Sequence, residues 1–305
     1  MSSDSIWTRR DFIRLATAAG LLPAVTLAED EQMMTRSIPS SGEPLPVIGL
    51  GTWQVFDVES TPDEIDLRRQ IVDLLLDRGG SLIDTSPMYN RSEKVIGDVL
   101  GEGGNRDRLF LATKVWTDGK ASGERQMRHS AELMKTDVID LMQVHNRRDL
   151  DTQLGTIREW QQDKRIRYNG VTDYRESAHE EMQDVMKRYR PEFIQINYSL
   201  GEHGADDRVL PLAQDLGIAV LVNRPYMSGQ LFRAVVNREL PAWARSFAES
   251  WGQFFLKFIV SHPAVTVAIP ATSRPRHMTD NLAAGCGEMP DGATRERMIS
   301  FIESI

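Results

Sequence analysis

From residue 47 onward the chain repeats one pattern. A short apolar run leads into a polar turn, and the turn into a stretch whose apolar positions recur at helical spacing. The apolar runs fall at residues 47–50, 81–84, 109–114, 140–145, 166–172, 193–197, 218–223 and 266–270. Runs this short and this apolar read as strands buried on both faces. Between them the period predicts a helix from Thr61 to the Gly79-Gly80 pair, then helices over 92–100, 123–133, 150–163, 176–189, 206–216, 241–262, 274–285 and 291–304. The first opens on Thr61-Pro62-Asp63-Glu64, which supplies a capping hydroxyl, an early proline and two early acids.

Strands that alternate with helices imply a parallel sheet. Eight such units in roughly 250 residues imply a closed (β/α)8 TIM barrel, a single α/β domain. That domain is expected to span residues 47–305. Residues 29–46 are turn-rich, with Pro39, Ser40, Ser41, Gly42, Pro44 and Pro46, and read as a linker. Residues 1–28 read as a twin-arginine export signal: Arg9-Arg10 is followed by Phe12, a weakly apolar run from Leu15 to Leu27, and Ala28 at a plausible cleavage point. Export to the periplasm by the twin-arginine translocation machinery is the matching expectation. No run approaches 18 apolar residues, so stable membrane insertion is not expected.

The formal net charge of −8 argues against a nucleic-acid partner, which calls for a basic face. One cysteine, Cys286, excludes an intramolecular disulfide and does not discriminate between compartments. No H-x-E-x-H or C-x-x-C spacing occurs, so no metal site is expected.

The chemistry gathers at strand ends. Asp84 ends the second strand and Tyr89 follows in its loop; Lys114 ends the third and His145 the fourth. In a parallel barrel the carboxyl ends of the strands share one mouth. A lysine there requires a counter-charge, which Asp84 supplies. An ammonium beside a phenol favours the phenolate and is expected to lower the tyrosine pKa. An imidazole can donate to a carbonyl oxygen. Singly, Lys114 also reads as a surface ion pair and His145 as a core histidine. Trp53 and Trp116, in loops after the first and third strands, suit either the wall of a substrate pocket or packing under the loops.

With these residues stand Ile48-Gly-Leu-Gly-Thr52, Ile83-Asp-Thr-Ser-Pro-Met-Tyr89, Ala112-Thr-Lys-Val115, Asp140-Leu-Met-Gln-Val-His145, Gly170-Val-Thr172, Gln195-Ile-Asn-Tyr-Ser199 and Ile269-Pro-Ala-Thr272. In order and spacing this set resembles the aldo-keto reductase family. The resemblance implies that Asp84, Tyr89, Lys114 and His145 are a catalytic tetrad reducing an aldehyde or ketone. Tyr89 would be the general acid, Lys114 held by Asp84 its tuner, and His145 the group that orients the carbonyl. It also implies a nicotinamide cofactor, NADPH ahead of NADH, bound without a Rossmann fold. Thr172, Asp173 and Gln195 match positions at the carboxamide, Asn223 and Arg224 the segment beside the pyrophosphate, and Thr272, Arg274, Arg276, His277 and Asn281 the adenosine end. Asp173 departs from the usual Asn or His, and Asn223 from the tyrosine that many members stack on the nicotinamide. The other reading is a nucleotide-binding sensor or auxiliary subunit on the same barrel. A barrel hydrolase would require a second placed carboxylate, and only Asp84 is in position.

Overall fold

The computed structural model describes residues 32–101 and 105–305; the proposed export signal lies outside the described residues. The first two strands, β1 (Thr35–Ser37) and β2 (Pro44–Pro46), pair antiparallel. Residues 29–46 are therefore not a plain linker: their second half is a hairpin. Its turn is closed by Gly42, at φ +78°, whose N–H donates to the Ile38 carbonyl. Ile38 and Leu45 point into the barrel's amino-terminal end and are fully buried. They meet a layer of Phe110, Tyr168 and Phe193, whose ring centroids lie 5.6 to 6.1 Å apart. The hairpin is a plug, and burial of those two side chains is what holds it there.

Eight parallel strands follow in sequence order: β3 (Leu50–Gly51), β4 (Leu82–Asp84), β5 (Phe110–Val115), β6 (Ile139–His145), β7 (Ile166–Thr172), β8 (Phe193–Asn197), β9 (Ala219–Asn223) and β10 (Val267–Ala268). Parallel bridges Ile48↔Ala268 and Gly51↔Ala271 join the first to the last and close the barrel. The backbones pass closely at this seam. A Cβ on Gly51 would sit 2.7 Å from the Ile269 carbonyl oxygen, so only glycine fits.

The helices that cover the sheet are α1 (Pro62–Asp77), α2 (Ser92–Leu100), α3 (Lys120–Leu133), α4 (Leu150–Gln162), α5 (His179–Tyr189), α6 (Val209–Asp215), α7 (Gln230–Ala234), α8 (Trp251–Val260), α9 (Pro275–Ala283) and α10 (Gly292–Glu303). At α1 the Thr61 hydroxyl accepts from the Glu64 N–H and Pro62 opens the first turn, as its sequence dictates. The long helix expected over 241–262 is instead a single turn at Ala242–Ala244 and a separate α8. Ser250 breaks it: its backbone is extended, and its hydroxyl accepts the Gln253 N–H to start a new helix. One apolar layer packs between sheet and helices, and a second fills the barrel.

Candidate active site

Side chains alternate along each strand, so Leu141, Gln143 and His145 of β6 share the inward face. Leu141 joins the layer above the hairpin. Higher up, polar groups replace apolar ones. Lys114 on β5 is fully buried, beside Gln143 in the strand register. Its ammonium donates to Asp84 Oδ2 at 2.6 Å and to the Thr85 carbonyl at 2.7 Å. The other carboxylate oxygen of Asp84 accepts from Gln195 Nε2 at 2.7 Å and Gln143 Nε2 at 3.0 Å. A buried charge pair is tolerated only with its remaining valences filled, and here they are.

The ammonium lies 5.0 Å from the centroid of the Tyr89 ring. Burial works to lower the Lys114 pKa, but Asp84 and the Tyr89 phenol outweigh it, and the net shift is upward. The phenol is itself pushed up by burial; Lys114 pulls it down, without prevailing. The expected lowering of the Tyr89 pKa is thus reversed: desolvation wins, and Tyr89 is held as a protonated acid at neutral pH.

His145 is packed edge-on to Tyr89, with centroids 6.1 Å apart. Its Nδ1 lies 3.1 Å from the Ser86 hydroxyl, which accepts the Met88 N–H at 3.2 Å. With its oxygen already accepting one N–H, the hydroxyl has its own hydrogen to give to Nδ1, and the tautomer that takes it carries the ring proton on Nε2. Burial, then the Lys114 charge, lower the His145 pKa to about 3, against a smaller upward pull from Asp173. The ring is neutral and presents one N–H donor.

These groups open on a cavity of about 740 Å3 whose lining includes Trp53, Asp84, Met88, Tyr89, His145, Thr172, Gln195, Asn223 and Arg224. Thr172 donates to Gln195 Oε1 at 3.2 Å, and Asn223 reaches the same oxygen at 3.4 Å. The Asn223 Oδ1 is buried without a partner. Trp53 stands half-exposed at the mouth. Trp116 lies outside the lining and stacks under the Arg148 guanidinium, 4.6 Å from its ring centroid.

Other expected ligands lie further off. Asp173 is buried, and its carboxylate is spent on Arg175 and Arg147. Oδ1 accepts the Arg175 N–H and Nε–H, each at 3.0 Å; Oδ2 meets Arg175 Nη2 at 2.8 Å and Arg147 Nη2 at 3.1 Å. Three hydrogen bonds from Arg175 and the ion contact with Arg147 occupy the carboxylate and leave it little to offer a carboxamide. Asn281 is buried too, accepting the Tyr226 hydroxyl at 2.6 Å. It supports the cavity wall from behind. Thr272 accepts the Arg274 N–H at 3.1 Å and shapes the turn into α9, on which Arg274, Arg276 and His277 stand exposed. Ser86, Gln143 and Arg147 were not among the expected site residues. For Gln143 the signal was present, two positions before His145 on the same strand face.

Among the described residues no cluster of His, Cys, Asp or Glu could hold a metal ion, and no helix is long and apolar enough to cross a membrane. Aldo-keto reductase YhdN of Bacillus subtilis is 31% identical over 202 residues, and the match spans 61% of this chain and 60% of that protein, less than two thirds of that relative. An uncharacterized oxidoreductase of the same organism, YqkF, is 24% identical over 83% of this chain and 91% of its own length. Among solved structures, an aldo-keto reductase from Klebsiella pneumoniae in complex with NADPH superposes with a TM-score of 0.75 at 25% identity, covering 88% of this chain and 95% of that one. The profile of the Aldo/keto reductase family matches residues 47–291, from the first barrel strand to the last helix, and the chain belongs to that family.

Proposed function

We propose that this protein reduces the carbonyl of an aldehyde or ketone to an alcohol with a nicotinamide dinucleotide, NADPH ahead of NADH. One observation carries the reading: a protonated phenol, a neutral imidazole and the carboxylate of a buried ion pair line a single cavity, with the paired ammonium 5.0 Å from the phenol ring behind it. The cavity wall also suits the cofactor. Asn223 offers a carboxamide its unpartnered Oδ1 and Thr172 its hydroxyl oxygen, Gln195 holds both from within the Asp84 network, and Arg224 lines the same cavity for a phosphate. Arg274 and Arg276, both exposed where α9 begins, are suited to a 2′-phosphate. The NADPH bound to the Klebsiella relative supports this choice.

The cofactor supplies the hydride. The chain's own residues supply the rest. His145 donates Nε2–H to the carbonyl oxygen and orients it. Tyr89 gives that oxygen its proton, so that hydride plus proton balance one alcohol. The phenolate left behind is stabilised by Lys114, which stays charged because Asp84, Gln143 and Gln195 fix its counter-charge. Following NADPH absorbance with a panel of carbonyls tests this. Tyr89→Phe is expected to keep cofactor binding, read by tryptophan quenching, and lose turnover by about 100-fold or more. Undiminished turnover in that variant would assign the acid to another group.

We further propose export to the periplasm through the twin-arginine machinery. The support is Arg9-Arg10 with Phe12 and the weakly apolar run to Ala28. Replacing both arginines by lysine is expected to retain the protein inside the cell; unchanged export would refute the signal.

A further inference from the structure

The backbone directly after His145 is strained. Asn146, Arg147 and Asp149 hold φ of 51°, 57° and 48°, the left-handed region that side chains other than glycine seldom adopt. Such a loop persists only where its surroundings over-determine it. Here ties run to both flanks. On one side Arg148 makes a fork–fork pair with Asp118, at 2.9 and 2.7 Å, and covers Trp116, while Asp149 accepts the Gly119 N–H at 2.7 Å. On the other side Arg147, only 13% exposed, reaches Asp173 past the end of β7 at 3.1 Å, and Glu181 of α5. Asp173 is 1% exposed.

Asp173 is the anion that matters to His145. The groups acting on the imidazole are Ser86 and Tyr89 from the loop after β4, Lys114 of β5 with its partner Asp84, and Asp173 with its arginines beyond β7. Asp84 is already held by Lys114 and two glutamines. Asp173 has only arginines, and Arg175 is half-exposed. A carboxylate that shed Arg147 would have less of its charge cancelled and would favour a charged ring across the strand ends.

We propose that Arg147 is a positioning residue for carbonyl reduction: by clamping Asp173 it ties the strained His145 loop to the neighbouring strand end and cancels that carboxylate's charge beside the imidazole. The catalytic consequence rests on the function proposed above; the state of the imidazole does not. The structure thereby gives position 173 a use other than holding a carboxamide.

The test is made on the full chain labelled with 15N-histidine. Long-range proton–nitrogen correlation spectra report ring tautomer and charge from pH 8 to 4, with His145 identified by its loss in His145→Gln. Wild type is expected to show a neutral Nε2–H ring throughout. In Arg147→Met the ring should take up a proton one to two pH units higher, about ten- to a hundred-fold in proton affinity, bringing the midpoint above pH 4. The double variant Arg147→Met/Asp173→Asn should return to wild type. Arg147→Lys, which keeps the charge, should titrate like wild type and serves if the methionine variant does not fold. An unmoved ring in Arg147→Met, a shift that Asp173→Asn does not reverse, or a shifted ring in Arg147→Lys each overturns the proposal. In turnover, Arg147→Met should lower kcat more than it alters KM, most at acid pH. No turnover in wild type beside a shifted ring would sink the reductase reading and leave the clamp standing; turnover without the shift would do the reverse.

Discussion

The Lys114–Asp84 pair can be taken apart quantitatively. Its side chains are 0% and 3% exposed, and N and O are 2.6 Å apart. At an effective dielectric constant of ~20, attraction at that distance is about 6 kcal/mol. Dehydrating both ions takes back several kcal/mol, so the pair's net worth is small while the cost of breaking it is not. Lys114→Met leaves a buried carboxylate facing two glutamine amides and no cation. Asp84→Asn leaves a buried ammonium with neutral acceptors and no counter-charge. Each is expected to lose about 3–5 kcal/mol, a large part of the ~5–15 kcal/mol that holds a folded protein together. The double variant removes both charges and should be more stable than the sum of the singles by at least about 2 kcal/mol. Guanidinium unfolding of the four proteins at pH 7 measures this, with slopes compared to confirm a common denatured state. Additivity within about 0.5 kcal/mol would show that the two charges do not depend on each other, and would refute the account of the site's foundation.

Other consequences are as direct. Because the folded His145 pKa, about 3, lies below the unfolded value, the unfolded chain binds a proton that the native ring refuses, and stability falls as pH drops from about 6.5 toward 3. Wild type should lose up to about 1.4 kcal/mol per pH unit in that window relative to His145→Gln; parallel pH–stability curves would contradict it. Ser86→Ala removes the donor that fixes the ring tautomer, and about 1 kcal/mol of hydrogen bond predicts a fall in kcat of roughly five-fold with KM little changed; an equal kcat would show that the hydroxyl has no orienting role. Leu45→Ala should cost about 2–5 kcal/mol by thermal or denaturant melting yet leave kcat/KM intact, since the hairpin lies at the opposite end from the mouth; lost activity in well-folded protein would contradict that separation.

Much of this was legible in residues alone. Strand ends and helix starts carry local signals, so Asp84, Lys114 and His145 could be placed at one mouth before any coordinates. What escaped depends on neighbours distant in sequence. The hairpin was hidden because only Ile38 and Leu45 mark it, seven positions apart among prolines that read as turns. The direction of the Tyr89 shift was misread because depth of burial, set by the whole mouth, outweighs one nearby charge. Asp173 was placed correctly at a strand end, but residue type does not reveal where a carboxylate turns, and Arg175 two residues on claims both oxygens.

The stopper formed by residues 35–46 leaves the barrel open at one end only. Beneath the ammonium lies hydrocarbon rather than water, since Phe110, Tyr168 and Phe193 fill the bore down to Ile38 and Leu45. Solvent cannot screen the pair from below, so its field is spent toward Tyr89 and whatever molecule rests above it. A turn of chain at the far end of the molecule thus helps set the electrical environment of the phenol at the near one.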